Sequence, residues 1–271
     1  MQVFDVIRGD GPVVLGQPHG GTRVPDAIAA RLNANGAGLA DTDWHISRLY
    51  DGLLPGATVV KSNVHRYVID ANRDPSGVSL YPGQNTTTLV PLTDFDGKEI
   101  WLDGQEPSTD EIEARRAAYH APYHDALRAE LERVRSRHGV AILFDCHSIR
   151  SNIPFLFEGE LPIWNTGTNL GATCSSAIEA AVDAVTRASG MGAVLNGRFK
   201  GGWTTRHYGQ PSTGIHAIQM ETAQRAYMHE TPPWDWDDNR AAIARPHLQK
   251  MLEKLDNLAR SGTILNQGSE E

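Results

Sequence analysis

The sequence predicts an α/β protein built on a mostly parallel sheet with helices on both faces. Two observations carry this. Short β-rich apolar runs alternate with longer helical patterns, and the clearest strand, Val140-Ala141-Ile142-Leu143-Phe144, is apolar at every position, as a central strand covered on both faces must be. With 271 residues the chain can bury a substantial core. It shows neither an internal repeat nor a linker, so residues 1–271 read as a single domain with a polar tail from about Asn266.

The first strand is expected over Val13–Gln17, running into Pro18-His19-Gly20-Gly21. Helical patterns follow over Asp26–Asn33 and Asp43–Leu54, then strands over Ala57–Lys61 and Arg66–Ala71. Residues 74–97, rich in Gly, Pro and Thr, are too many for a connector and are expected to form a lid or substrate loop. The longest helix is expected over Thr109–His138, with Ser108 and Glu111 as a capping box and Gly139 as the stop. Beyond the central strand come a helix over Cys174–Ala188, a short strand over Ala193–Leu195 and a Gly-rich loop through Gly209. A strand over Ile215–Met220 and an amphipathic helix over Asp237–Ala259 complete the pattern.

A formal net charge of −8, from 33 acidic and 25 basic residues, argues against nucleic acid, which needs a concentrated basic surface. A small anionic substrate stays compatible, because one or two arginines reverse the field inside a cleft. No apolar run approaches the roughly 20 residues of a membrane span, and the N-terminus does not resemble a secretory signal. The cytoplasm is therefore the expected compartment. Cys146 and Cys174 are too few for a disulfide scaffold or a Cys-rich metal site, so any transition metal must be held by His and carboxylate ligands.

Ligands of open α/β sheets bind beyond the carboxyl ends of strands, which directs attention to polar residues that follow apolar runs. His19 follows the first strand, His147 the central one, and Glu221 ends the last. Each has an ordinary explanation in isolation: a turn His satisfies local backbone, and a Glu caps a segment or pairs with an Arg. Their shared position argues for zinc, which in hydrolases takes three protein ligands and leaves a fourth position for water. The acidic ligand is sought in Asp41-Thr42-Asp43-Trp44-His45, where either Asp41 or Asp43 could equally be a helix N-cap. Strand alternation turns Asp145 and His147 to one face and Cys146 to the other, which weakens a cysteine hydrolase. No Gly-x-Ser-x-Gly elbow supports a serine hydrolase. Glu221, desolvated at the end of a buried strand, suits a general base. The planar guanidinium of Arg73, in Asp70-Ala71-Asn72-Arg73-Asp74, suits a substrate carboxylate, and Arg206 and His207 could form a second anion-binding element. His120 and His124, four apart, superficially suggest a helical zinc pair; Ala121 stands where a metalloprotease needs Glu, and Pro122 disturbs the turn, so they are read as packing or hydrogen-bonding groups.

The motifs Pro18-His19-Gly20-Gly21, Asp41-Thr42-Asp43-Trp44, Leu49-Tyr50, Asp70-Ala71-Asn72-Arg73, Asp145-Cys146-His147-Ser148, Phe199-Lys200-Gly201-Gly202 and Arg206-His207-Tyr208-Gly209 together resemble the N-formylglutamate amidohydrolases. That resemblance implies a mixed, mostly parallel sheet similar to those of zinc carboxypeptidase-like (phosphorylase/hydrolase-like) and aspartoacylase-like enzymes. It implies His19, Asp43 and His147 as ligands of one zinc or another divalent ion, with Glu221 as the base; Asp43 is preferred to Asp41 for its spacing to Leu49. The carboxypeptidase His-x-x-Glu pattern is absent, since Thr22 stands at the Glu position. The implied reaction is hydrolysis of N-formyl-L-glutamate, an intermediate of histidine degradation, to formate and glutamate. Asn72-Arg73 is similar to the pair that holds a carboxylate in carboxypeptidase-like enzymes, with Arg150 and Arg206 as rivals for the second carboxylate. The alternatives are hydrolysis of another N-acyl amino acid on the same zinc machinery, and a metal-free dicarboxylate-binding protein. The sequence does not set the oligomeric state.

Overall fold

The computed structural model describes residues 2–80, 83 and 85–264. The expected polar tail from about Asn266 lies outside them, as do positions 81, 82 and 84 of the expected loop. Among the described residues, seven strands form one mixed sheet: β1 Phe4–Ile7, β2 Val13–Gln17, β3 Thr58–Ser62, β4 Ala141–Ile149, β5 Trp164–Gly167, β6 Ala193–Leu195 and β7 Ile215–Ala223. Their spatial order is β1-β3-β2-β4-β7-β5-β6. The central run β3-β2-β4-β7 is parallel, β1 is antiparallel to β3 and β5 to β7, and β6 runs parallel to β5. The helices are α1 Asp26–Ala29, α2 Ala34–Ala37, α3 Ile46–Tyr50, α4 Thr109–Arg115, α5 Ala121–His138, α6 Ser176–Ala188, α7 Trp203–Tyr208 and α8 Asp238–Arg260.

Alternation along β4 divides the core. Ile142, Phe144 and Cys146 face one side, where Ile178, Val182 and Val185 of α6 and Leu248, Leu252 and Leu255 of α8 close over them. Ala141 and Leu143 face the other, against Leu127, Leu131 and Val134 of α5. The helical spacings of three and four residues put those side chains on one stripe of each helix. Serine caps start two of the helices: Ser108 Oγ accepts from Glu111 N at 3.3 Å and Ser175 Oγ from Ile178 N at 3.4 Å. Gly139, at φ 77°, ends α5 in the left-handed conformation that glycine adopts without cost.

Several expectations are corrected. The strand expected over Arg66–Ala71 is a series of turns; His65 Nδ1 accepts from Tyr67 N and Asp70 Oδ1 from Asn72 N, so side chains take the amides a ladder would need. The helix expected over Asp43–Leu54 shrinks to α3, because His45 has φ 59° and Asp43 is drawn into the sheet. The pattern over Asp26–Asn33 ends at Ala29, and Asn33 instead caps α2. The long helix is interrupted by a π-turn over Arg116–His120, closed by a bond from Ala121 N to Arg116 O. Pro122 explains its place: it has no N–H to give, and its ring would meet the carbonyl four residues back in an unbroken α-helix. Part of the expected Gly-rich loop is α7, and β1 and β5 were not foreseen.

Candidate active site

Three carboxyl-end positions of the parallel sheet converge. His19 stands just beyond β2, His147 lies within β4, and Asp43 sits in the turn before α3, tied by its own amide to His19 O at 3.1 Å. Asp43 is not a helix cap, since its Oδ2 accepts from Ser148 N at 3.0 Å. The two imidazoles meet through Nδ1, 3.1 Å apart, and Asp43 Oδ2 lies 3.9 Å from His19 Nδ1 and 3.5 Å from His147 Nδ1. All three side chains are buried, their ligand atoms fall within 4.8 Å of one another, and together they could hold a metal ion. Asp41 turns elsewhere, its Oδ2 accepting from Phe95 N at 2.9 Å.

Each imidazole is oriented from behind. His19 Nε2 is 2.7 Å from Asp70 Oδ1, and His147 Nε2 is 3.1 Å from Asp145 Oδ1. With Nε2–H donated to a carboxylate, the lone pair of a neutral ring is left at Nδ1, which is where a cation is needed. Burial, reinforced by Arg66, lowers the His19 pKa to about 4. Burial opposes the charged form of His147 too, yet Asp145 and Asp43 outweigh it and hold that pKa well above the usual range. Asp70 is held well below the carboxylate range despite its burial, by Arg73, His19 and Arg66.

Glu221 stands beside this group. Burial pushes its carboxyl up to about 8, a tendency that His147 opposes and Asp43 reinforces. Gln219, two residues earlier on the same face of β7, donates from Nε2 to Glu221 Oε2 at 3.3 Å and accepts from Gly202 N at 2.6 Å. Arg66 presses Nη2 against His19 Nδ1 and is 3.8 Å from Asp70 Oδ2, while its buried Nε has no hydrogen-bond partner.

A cavity opens over the group, and its wall includes His19, Asp43, His147, Glu221, Asn72 and Arg73. Its volume of about 140 Å³ would hold several waters, each needing only about 10–15 Å³ on this measure, and therefore admits a small ligand. Arg73 is braced by Thr87, donating from Nε to the carbonyl at 2.9 Å and from Nη2 to Oγ1 at 2.8 Å. Residues of the expected lid, including Val78, Leu80, Thr87 and Leu89, line the same cavity. Arg150, Arg206 and His207 are not brought to it: Arg150 pairs with Asp96 at 3.1 Å, Arg206 Nε donates to Gly201 O at 2.8 Å, and His207 stacks on Trp203. Sequence reasoning missed Arg66, Arg198 and Gln219 on the wall. Gln219 was accessible through strand alternation from Glu221; Arg66 was hidden inside a segment read as a strand. His120 and His124 form no metal cluster among the described residues.

A sheet that delivers two imidazoles, a carboxylate and a protonatable carboxyl into one cavity at its carboxyl edge marks an enzyme of mixed α/β fold with a centre that could hold a metal ion. Comparison with known proteins narrows the class. The chain belongs to the N-formylglutamate amidohydrolase family, whose profile it matches over residues 11–228. It is 43% identical over 256 residues to the N-formylglutamate deformylases of Pseudomonas aeruginosa and Pseudomonas putida, covering 94% of this chain and 96% of each relative. The crystal structure of N-formylglutamate amidohydrolase from Ralstonia eutropha JMP134 matches with a TM-score of 0.80 at 22% identity, covering 97% of this chain and 100% of that one. A protein from Agrobacterium tumefaciens matches with a TM-score of 0.72 at 18% identity, covering 95% and 96%. These two structures share the fold. No helix among the described residues is long and apolar enough to cross a membrane.

Proposed function

We propose that the chain hydrolyses N-formyl-L-glutamate to formate and L-glutamate, with His19, Asp43 and His147 holding one zinc ion. The observation that carries this reading is the meeting of His19 Nδ1, His147 Nδ1 and Asp43 Oδ2, each imidazole backed by its own carboxylate. Two nitrogen ligands about 2.0–2.1 Å from a tetrahedral zinc stand about 3.3 Å apart, close to the 3.1 Å between these nitrogens. The family and the two Pseudomonas relatives support the substrate.

When bound, the zinc supplies Lewis-acid polarisation of the formyl carbonyl and lowers the pKa of water to about 7. Glu221 accepts the proton of the attacking water. Water adds to the formyl carbon, Arg66 donates to the oxygen on which charge develops, and the C–N bond breaks as Glu221 returns the proton to the amine. A raised Glu221 pKa suits both halves of that task. Asn72 Nδ2 lies 3.2 Å from His147 Nε2, so Arg73, the next residue, takes the carboxylate nearest the scissile bond, the α-carboxylate. Arg198, which reaches Leu156 O and Asn85 O farther along the wall, takes the γ-carboxylate in the role expected of Arg150 or Arg206. Two buried free thiols and the net charge of −8 fit a cytoplasmic enzyme with a small-molecule substrate and no nucleic-acid partner.

The test is formate release from N-formyl-L-glutamate, with and without a chelator, alongside elemental analysis. Stoichiometric zinc and chelator-sensitive turnover are expected. Undiminished turnover in thoroughly metal-depleted protein would overturn the zinc, and an absence of formate would overturn the reaction.

A further inference from the structure

The His120/His124 pair remains without a role once the metal centre is assigned elsewhere, yet its geometry is specific. His120 Nε2 is 3.1 Å from Arg73 O, and His124 Nε2 is 2.7 Å from Ala71 O. These are the carbonyls on either side of Asn72. Burial lowers both imidazole pKa values, and a neutral ring that meets a carbonyl at Nε2 must carry its proton there. His124 Nδ1 and His124 O each lie 3.0 Å from the Tyr208 hydroxyl, whose single proton they share. Trp203 packs against both rings, with centroid distances of 5.5 Å and 4.8 Å. The π-turn ends on His120 itself, one turn before His124, and such turns recur at functional sites.

The opposite side of Asn72 is held as firmly. Its Oδ1 accepts from Thr204 N at 2.9 Å, and a Cβ on Gly202 would fall 2.3 Å from its Nδ2 and push the amide from this place. The segment 71–73 is thus gripped through both flanking carbonyls and through the side chain between them. Helix α7 supplies one jaw and the π-turn with the start of α5 the other.

We propose that His120 and His124 are positioning residues that clamp the Ala71 and Arg73 carbonyls, holding Asn72-Arg73 at the angle at which Arg73 receives the substrate α-carboxylate. The inference rests on the proposed hydrolysis of N-formyl-L-glutamate. A role in packing alone would affect every substrate alike, whereas the clamp acts through one carboxylate.

The experiment compares zinc-loaded wild type, His124→Leu and His120→Leu on N-formyl-L-glutamate and on N-formyl-4-aminobutyrate, which lacks the α-carboxylate. On the first substrate kcat/KM should fall about tenfold, chiefly through KM, the size expected for one misplaced buried hydrogen bond. On the second it should stay within about twofold of the wild-type value. His124→Gln, which restores an N–H donor, should recover most of the loss. Equal losses on both substrates, or no loss on either, in variants that keep the wild-type melting temperature would overturn the clamp. Should His124→Leu not fold, His120→Leu carries the same comparison. Failure of the wild type to release formate from N-formyl-L-glutamate overturns the proposed function instead, whatever the variants do.

Discussion

His147 of β4 and Glu221 of β7 are register partners across a parallel pair of strands. Residues in register on adjacent strands turn to the same face, so the sheet itself fixes the proposed base beside a proposed ligand. Neither depends on a loop for its place: both strands continue two residues past these positions, to Ile149 and Ala223.

Removing the base should therefore separate chemistry from metal binding. Glu221→Gln keeps nearly the same shape and should retain zinc while turnover drops by about 10²–10⁴-fold, the range for a lost general acid–base. Single-turnover kinetics with elemental analysis checks both halves, and near-normal turnover would dismiss Glu221 as the base.

The carboxylates behind the imidazoles should matter almost as much as the ligands. Asp145→Asn and Asp70→Asn each remove the negative charge from the group that fixes an imidazole with Nδ1 facing the centre. Zinc affinity is expected to fall by about 10–100-fold in each, measured by competition with a chromophoric chelator. Unchanged affinity in both would mean that the rings are held by packing alone.

Arg198 should govern selectivity rather than catalysis. Arg198→Met is expected to lower kcat/KM on N-formyl-L-glutamate by about 10–100-fold, as for a lost charged hydrogen bond, and to leave N-formyl-L-norvaline within about twofold. Parallel losses on both substrates would assign Arg198 to loop architecture, through its bonds to Leu156 O and Asn85 O.

Acid should weaken the fold at a site remote from the chemistry. His216 opens the buried part of β7, and burial lowers its pKa to about 4 from 6.5. Between those values the unfolded chain binds the proton and the folded one does not. The neutral imidazole's contribution is thus complete above pH 6.5, is lost as pH falls toward 4, and changes no further below that. The loss should be of the order of 1 kcal/mol per pH unit across the window. His216→Gln should flatten the melting-temperature profile there; an identical slope would exclude His216 as its source.

The α5 face of the sheet is the place to test packing. Leu131 is fully buried against that face, so Leu131→Ala should cost about 2–5 kcal/mol in urea unfolding. A cost below about 1 kcal/mol would mean that the helix collapses onto the space, contrary to a close-packed layer.

What the sequence by itself determined is the alternating α/β plan, the buried central strand, the capping residues of the long helix and the polar residues toward the carboxyl ends of strands, although β4 and β7 run on past His147 and Glu221 rather than stopping before them. Apolar runs, helical periodicity and cap chemistry are local, and each survives transfer from chain to structure because neighbouring residues enforce it. Tertiary structure alone decided the rest. Asp43 and Asp41 are two residues apart and chemically identical; only the approach of β4, offering Ser148 N, turns one of them toward the imidazoles. The segment at 66–71 has a strand-like pattern, but Arg66 and Asp70 turn to the centre, where Asp70 Oδ1 lies 2.7 Å from His19 Nε2 and Arg66 lies 3.8 Å from Asp70 Oδ2. His120 and His124 look like ligands in sequence and become clamps because the turn that meets them, at 71–73, lies some fifty residues away in the chain. Such choices depend on distances that no local pattern encodes, since the energies that settle them arise only where remote segments exclude water together.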